Sequence, residues 1–70
     1  MLRQAVQSSN LKSVGYDYQQ NLLEIEFISG GIYQYSSVPK DMYSGLMDAP
    51  SHGKFFARFI KDRFPTKRVR

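Results

Sequence analysis

The sequence contains no cysteine, no tryptophan and a single histidine, His52. The absence of cysteine excludes disulfide bonds, zinc or iron–sulfur sites held by thiolates, and a cysteine nucleophile. Residues 1–10 lack the apolar run of a signal peptide, and no other segment is long and apolar enough to cross a membrane. We therefore expect a cytoplasmic protein that does not associate with membranes.

The chain has seventy residues, of which 41% are hydrophobic and ten are aromatic. A chain of this length buries only about 60–65% of the surface that it exposes when unfolded, so its core must be small. The composition is too apolar for a disordered segment, and no repeat or low-complexity linker divides the chain. We expect one domain that folds on its own.

The charge is concentrated at the C-terminal end. The formal net charge is +4, but residues 1–53 carry three bases and five acids, whereas residues 54–70 carry seven bases and one acid, Asp62. The first part is therefore slightly acidic, at −2, and the last quarter is strongly basic, at +6. A basic segment of this kind favours an anionic partner.

Three segments alternate between apolar and polar residues, as half-buried strands do. They are residues 11–18, 22–28 and 32–35, and polar or glycine-rich turns separate them. In the second segment, Glu24 and Glu26 alternate with three apolar residues, which predicts that the glutamates face solvent. The pattern predicts a three-stranded antiparallel meander.

The turn at residues 29–31 decides which way the following tyrosines point. A two-residue loop would place Gln34 in the core, because a register slip of one residue moves every side chain to the other face. A three-residue loop, closed by Gly31 in the left-handed conformation, places Tyr33 and Tyr35 on the apolar face instead. This loop pairs Phe27 with Tyr33 and Ile25 with Tyr35. We favour it and expect both tyrosines to pack in the core, although stacking on unpaired bases is an alternative.

Two helices are predicted after the strands. The first runs from Pro39 to Asp48, and the second runs from His52, capped by Ser51, to Phe64. The apolar positions of the second helix are Phe55, Phe56, Phe59, Ile60 and Phe64, and the opposite side carries a stripe of Lys54, Arg58 and Lys61. The expected fold is α+β, a three-stranded antiparallel β-meander followed by two α-helices packed on one sheet face (β-β-β-α-α).

Several short motifs follow one another along most of the chain. They are Ser8-Ser9-Asn10-Leu11, Val14-Gly15-Tyr16-Asp17, Leu23-Glu24-Ile25-Glu26-Phe27, Gly31-Ile32-Tyr33-Gln34-Tyr35, Val38-Pro39 and Ala49-x-Ser51-x-Gly53-x-Phe55-Phe56. In this order the motifs resemble the KTSC domain family. That family is named for the C-terminal extension of some lysyl-tRNA synthetases and also occurs as short stand-alone bacterial and phage proteins.

The resemblance implies a small α+β module at residues 8–64 whose function has not been established. RNA binding is suggested by the synthetase context, and the family has no assigned catalytic residues. The motif positions Tyr33, Tyr35, Ser51 and Gly53 are expected to have structural roles. Outside the shared pattern, residues 1–7 are expected to form a flexible N-terminal segment and residues 65–70 a basic C-terminal tail.

Three groups of residues resemble catalytic or metal-binding motifs, but each has a simpler structural explanation. Glu24 and Glu26 fit the solvent-exposed face of a strand, since no further metal-ligating residue accompanies them. The spacing of Ser51 and Lys54 suits a lysine-activated serine, but Ser51 lies where the helix needs its N-cap. His52 has no histidine or cysteine partner at ligand spacing. We expect no catalytic residue, metal, cofactor or small-molecule substrate, and no enzymatic activity.

The basic C-terminal quarter supports the leading hypothesis, which is weak, sequence-tolerant binding of RNA or another nucleic acid through the second helix and the tail. The residues expected to bind are Lys54, Arg58, Lys61, Lys67, Arg68 and Arg70. The alternative is a protein–protein interaction module, either an adaptor or a self-associating domain, that covers open sheet edges or residual apolar surface. A solvated basic helix face without any partner is the third interpretation.

Overall fold

The computed structural model describes residues 1–70 and contains a five-stranded antiparallel sheet in the order β1-β2-β3-β4-β5. The strands are β1 Arg3–Ala5, β2 Leu11–Asp17, β3 Leu22–Phe27, β4 Ile32–Tyr35 and β5 Thr66–Arg68; the helices are α1 Lys40–Asp48 and α2 His52–Phe55, and a π-helical segment, Phe56–Ile60, follows α2. The predicted α+β class is confirmed, but the sheet has five strands and not three. None of the helices has the length and apolar character needed to span a membrane.

The two additional strands form the edges of the sheet. β1 lies within the predicted N-terminal segment and pairs with β2, and β5 lies within the predicted basic tail and pairs with β4. All six of their residues are exposed, so neither strand shows the apolar alternation that reveals a half-buried strand in a sequence. The C-terminal basic residues are therefore held in the sheet.

The hairpin between β3 and β4 has a register that differs from the predicted one. Its loop is residues 28–30, the Phe27 N–H donates to the Gly31 carbonyl oxygen at 2.9 Å, and Gly30 takes the positive φ, 114°, that was expected of Gly31. The structure pairs Ile25 with Tyr33 and Leu23 with Tyr35, so the predicted pairs are wrong. Because the shift is two residues, each side chain keeps its face, and both tyrosines lie on the apolar side.

The core lies between this apolar side of the sheet and the helical region. Leu46 of α1 and Phe56 and Ile60 of the π-helical segment pack against the sheet residues. The core residues are Leu11, Val14, Leu23, Ile25, Tyr35, Val38, Leu46, Phe56 and Ile60. As predicted, α1 ends at Asp48, but it begins at Lys40; Pro39, predicted as its first residue, occupies the N-cap position.

The second helix is shorter than predicted and changes its geometry. After the four residues of α2, the Lys61 N–H donates to the Phe56 carbonyl oxygen at 2.9 Å, which is the i→i+5 bond of a π-helix. The helical region ends at Ile60, and Asp62 then takes a positive φ of 61°. The predicted end at Phe64 is therefore wrong. The wider turn also leaves Phe59 41% exposed, although the spacing of apolar residues in an α-helix placed this ring on the apolar side of the second helix.

Candidate nucleic-acid interface

The basic side chains of residues 54–70 are all exposed to solvent. Both salt bridges of the structure involve Arg3, so no acidic side chain neutralises any of these cations, although Arg68 Nε donates a hydrogen bond to the Arg70 carbonyl oxygen at 3.1 Å. The set includes the six residues predicted to bind nucleic acid, which are Lys54, Arg58, Lys61, Lys67, Arg68 and Arg70. Their charge is available to an external anion.

Two of these cations line one cleft, which we call the helix cleft. It has a volume of about 290 Å³ and is lined by residues 49–51, Lys54, Phe55, Arg58 and Phe59. The Phe55 and Phe59 rings lie 4.7 Å apart, and the Arg58 guanidinium lies 5.5 Å from the centre of the Phe59 ring. This cleft combines an aromatic wall with two free cations, as surfaces that bind single-stranded nucleic acid do.

A larger cleft lies on the other side of the π-helical segment, and we call it the aromatic cleft. Its volume is about 370 Å³, and Lys61 and Asp62 lie at its polar side. Its aromatic walls are Phe27, Tyr33, Tyr35 and Phe56. The rings meet edge to face, with the Phe27 centre 5.6 Å from Tyr33 and 5.4 Å from Phe56. The cleft therefore offers flat apolar surfaces beside one cation and one carboxylate.

The predicted stripe of Lys54, Arg58 and Lys61 is thus divided between the two clefts. Lys54 and Arg58 line the helix cleft, and Lys61 lines the aromatic cleft. The cause is the change to i→i+5 hydrogen bonding after α2, because it widens the turn and rotates Lys61 relative to the preceding residues.

The basic residues of the C-terminal strand divide between the two sides of the sheet. Arg68 pairs with Tyr33, and its guanidinium lies 5.6 Å from the centre of the Tyr33 ring. Lys67 pairs with Gln34, so its side chain is on the opposite face from Arg68. Arg68 therefore lies against Tyr33, which forms one wall of the aromatic cleft, whereas Lys67 lies on the other face of the sheet.

The two motif tyrosines differ in burial. Tyr35 is 4% exposed, and Tyr33 is half-buried with one side against the core. Burial raises the pKa of Tyr35 to about 12, and the charges of Tyr33 and Asp62 add to the shift. The Tyr35 hydroxyl is protonated at neutral pH, as an ordinary tyrosine is, and the residue lines the aromatic cleft, where the hydroxyl can donate a hydrogen bond.

The other face of the sheet is not the open glutamate surface that the alternation predicted. Glu24 is only 7% exposed, its Oε2 lies 2.5 Å from Arg3 Nη1, and Gln34 Nε2 donates to its Oε1 at 2.9 Å. Burial alone would raise the pKa of Glu24, but the hydrogen bonds from Gln34 and Arg3 and the Arg3 charge outweigh it, so the pKa lies below its ordinary value. β1 thus partly neutralises this face.

The remaining candidate residues hold the helical region in place. Ser51 Oγ accepts a hydrogen bond from the Lys54 N–H at 3.2 Å, as an N-cap does, and His52 Nδ1 lies 2.8 Å from the Leu46 carbonyl oxygen. Gly53 lies so close to Asn10 that a Cβ there would overlap Asn10 Oδ1. No three histidine, aspartate and glutamate side chains come together as a metal site requires.

Sequence reasoning missed two residues of these clefts. Asp62 was visible as the one acid of the basic quarter, but its place at the aromatic cleft depends on the end of the helical region at Ile60. Phe59 was assigned to the core because the positions of the apolar residues were compared on the assumption that residues 52–64 are α-helical throughout. No pattern in residues 52–64 indicated the π-helical turn.

Comparison with known proteins gives consistent similarities. The model of the KTSC domain matches residues 7–64. An uncharacterised protein of Stutzerimonas stutzeri is 46% identical over 61 residues, which cover 87% of this chain and 86% of that protein. A lysine–tRNA ligase of Nostoc punctiforme is 40% identical over 58 residues, which cover 83% of this chain but only 10% of the ligase. The crystal structure of a KTSC domain protein from Yersinia pestis superposes with a TM-score of 0.96 at 40% identity, covering 99% of this chain and 97% of that one.

Proposed function

This chain belongs to the KTSC domain family, and from that premise we propose that it binds single-stranded or structured RNA weakly and with little sequence preference. It acts by binding and not by catalysis. The contact surface consists of the helix cleft, the aromatic cleft and the basic residues around them. We call this the basic surface; its cations are Lys54, Arg58, Lys61 and Arg68.

The observation that carries the proposal is that these four cations are exposed and form no salt bridge, and that the only acid of the C-terminal quarter, Asp62, forms none either. Cations that a protein leaves free beside aromatic rings can neutralise phosphates while bases stack. Arg58 beside Phe59 and Arg68 beside Tyr33 both show this pairing.

The relatives supply independent support of a weaker kind. Lysine–tRNA ligases of two Nostoc strains and of Trichormus variabilis contain a segment that is 38–40% identical to 58 residues of this chain, and it forms 10% of each ligase. The name of those proteins identifies tRNA as their substrate. A module attached to such an enzyme is well placed to contact RNA.

The expected affinity follows from the number of cations. With about four phosphate contacts, binding should be micromolar or weaker at physiological salt, and the logarithm of the binding constant should fall with the logarithm of salt concentration with a slope of about −3 on single strands. Base identity should matter little, since stacking surfaces accept every base.

Fluorescence anisotropy with a labelled single-stranded RNA and with tRNA tests the proposal. We compare the wild-type chain with a variant that carries Lys61→Gln and Arg68→Gln and with a charge-matched control that carries Lys12→Gln and Lys40→Gln. The first variant should lose about tenfold in affinity and flatten the salt slope by about 1–2, because each lost phosphate contact removes part of the slope. The control should stay close to wild type. Equal losses in both variants would show that only net charge matters and would contradict the assigned surface.

A protein-interaction module is the second candidate. The observation that favours it is the exposure of large apolar side chains that line neither cleft, with Leu2 95%, Tyr18 65% and Ile28 56% exposed. Tyr18 also packs edge to face on Tyr16, so it is held in place at the surface. Size-exclusion chromatography with light scattering tests self-association. A monomer at high protein concentration, together with RNA binding that the Lys61 and Arg68 variant weakens, would favour the first candidate.

A further inference from the structure

We propose that the aromatic cleft is a pocket for one unpaired nucleobase, with guanine bound best, and that Asp62 accepts the hydrogen bonds from the Watson–Crick edge of that base. The inference deepens the proposed function and rests on it, because the base would belong to an RNA strand whose phosphates lie against Lys61 and Arg68. It adds a base-binding site to a surface that otherwise contacts the phosphate backbone.

The shape of the cleft suits a flat ring. Its volume of about 370 Å³ falls in the range of small-molecule sites, and its walls are the rings of Phe27, Tyr33 and Phe56. Tyr33 is half-buried, so part of its ring remains open, and aromatic rings of this kind stack on unpaired bases. A stacked base contributes about 1–3 kcal/mol by alanine substitution in other proteins.

The charges around the cleft suit a nucleotide better than they suit a plain hydrocarbon. Lys61 lines the cleft, and the Arg68 guanidinium lies 5.6 Å from the centre of the Tyr33 ring, which forms one of the walls. A base in the cleft would carry its flanking phosphates toward these cations. An apolar side chain of a protein partner would leave both cations without a matching charge.

Asp62 provides the selectivity. It lines the cleft, is exposed and belongs to neither salt bridge of the structure. A carboxylate only accepts hydrogen bonds, and guanine offers two adjacent N–H donors, from its imino and amino groups. Asp62 takes a φ of 61°, in the left-handed region that aspartate tolerates, where the chain leaves the helical region. The π-helical segment that precedes it is a feature common at functional sites.

The Tyr35 hydroxyl completes the polar side of the cleft. A tyrosine hydroxyl is protonated at neutral pH, and Tyr35 lines the cleft, so it can donate where Asp62 can only accept. Guanine carries a carbonyl acceptor beside its two donors, so its edge matches this combination. Uracil, cytosine and adenine each match it in part.

The test uses the four ribonucleosides, which carry no phosphate and therefore report on the cleft alone. Each is titrated at millimolar concentration into the ¹⁵N-labelled chain, and amide shifts of Tyr33, Lys61 and Asp62 are followed by NMR. Guanosine should give the largest saturable shifts. The variant Asp62→Asn keeps a residue that tolerates a positive φ, and it should lose about tenfold in guanosine affinity.

The Asp62→Asn variant should affect the affinity for guanosine and the affinity for RNA in different directions, because phosphate contacts dominate RNA binding. Asp62→Asn removes a negative charge beside Lys61, so its affinity for an RNA without guanine should stay equal to wild type or rise. The absence of nucleoside shifts, equal shifts from all four nucleosides and indole, or unchanged guanosine affinity in the Asp62→Asn variant would each overturn the inference. If RNA binds as proposed while nucleosides do not, only this inference fails. If guanosine binds but RNA does not, the proposed function fails.

Discussion

At the scale of single residues, Gly53 shows how distant motifs of the chain meet in the fold. A Cβ at this position would overlap Asn10 Oδ1 and lie 3.3 Å from Asn10 Cγ. Asn10 is itself held by its backbone N–H, which donates to Ser8 Oγ at 3.3 Å. The serine and asparagine of the N-terminal motif and the glycine of the C-terminal motif therefore form one contact, which explains their joint presence without a catalytic role.

Replacement of Gly53 by alanine tests this contact. Helix propensity alone would make Gly53→Ala stabilising by up to about 1 kcal/mol, whereas the overlap forces the Asn10 side chain to give up the hydrogen bond that it accepts from Ser8 Oγ and should make the replacement destabilising by about 1 kcal/mol. We expect a lower midpoint in thermal unfolding, by about 4–8 °C for each kcal/mol in a domain of this size. In an Asn10→Ala background the same replacement should cost less or even stabilise. A higher midpoint for Gly53→Ala in the wild-type background would contradict the contact.

The pH dependence of stability tests the ion pair between Arg3 and Glu24 on the other face of the sheet. The pKa of Glu24 is lowered in the folded chain, so its carboxylate contributes stability at pH values above the ordinary pKa of glutamate, about 4. That contribution should be lost as the pH falls through this value and then through the lower folded pKa. Urea unfolding at pH 7 and at pH 3 should show a smaller loss of stability in Glu24→Gln than in wild type.

The charge-matched control for this measurement is Asp41→Asn, which changes an exposed carboxylate of α1. It should lose stability on acidification as much as wild type does. Equal pH dependence in wild type and Glu24→Gln would show that the contact with Arg3 and Gln34 contributes little.

At the scale of elements, the alternation of apolar and polar residues was sufficient to predict β2, β3 and β4, and the proline and serine signals placed α1 and the start of α2. The edge strands were not predictable, because all their residues are exposed and neither strand shows the apolar alternation of a half-buried strand. The π-helical turn was not predictable either, and it decides that Lys61 and Asp62 lie at the aromatic cleft. The basic residues of the candidate site were thus identified from sequence, but their division between two clefts was not.

Hydrogen exchange tests whether the C-terminal residues form an edge strand or a free tail. The Val69 N–H donates to the Ile32 carbonyl oxygen at 2.8 Å, next to β5. We expect its exchange to be slowed by roughly tenfold or more relative to an unstructured peptide. The Ser29 amide, which lies in the exposed β3–β4 loop, is the internal control and should exchange freely. Exchange of Val69 as fast as that of Ser29 would contradict the pairing with β4.

At the scale of the whole molecule, the basic residues differ in their contacts and not only in their position in the sequence. Arg3 forms salt bridges with Glu24 and Glu26 on one face of the sheet. The cations of the basic surface form no salt bridge and lie around the helix cleft and the aromatic cleft on the helical side. A net charge of +4 thus understates the positive potential that an anion meets on the helical side. An RNA strand should therefore approach the π-helical segment and β5 and avoid the face that β1 covers.

The most direct test of this account is an NMR titration of the ¹⁵N-labelled chain with a single-stranded RNA oligonucleotide at low salt. The account predicts shifts that saturate, that cluster at Lys54, Arg58, Lys61 and Arg68, and that leave the amides of Arg3 and Glu24 unchanged. Added salt should reverse them. The absence of shifts, or shifts centred on Arg3 and Glu24, would contradict it.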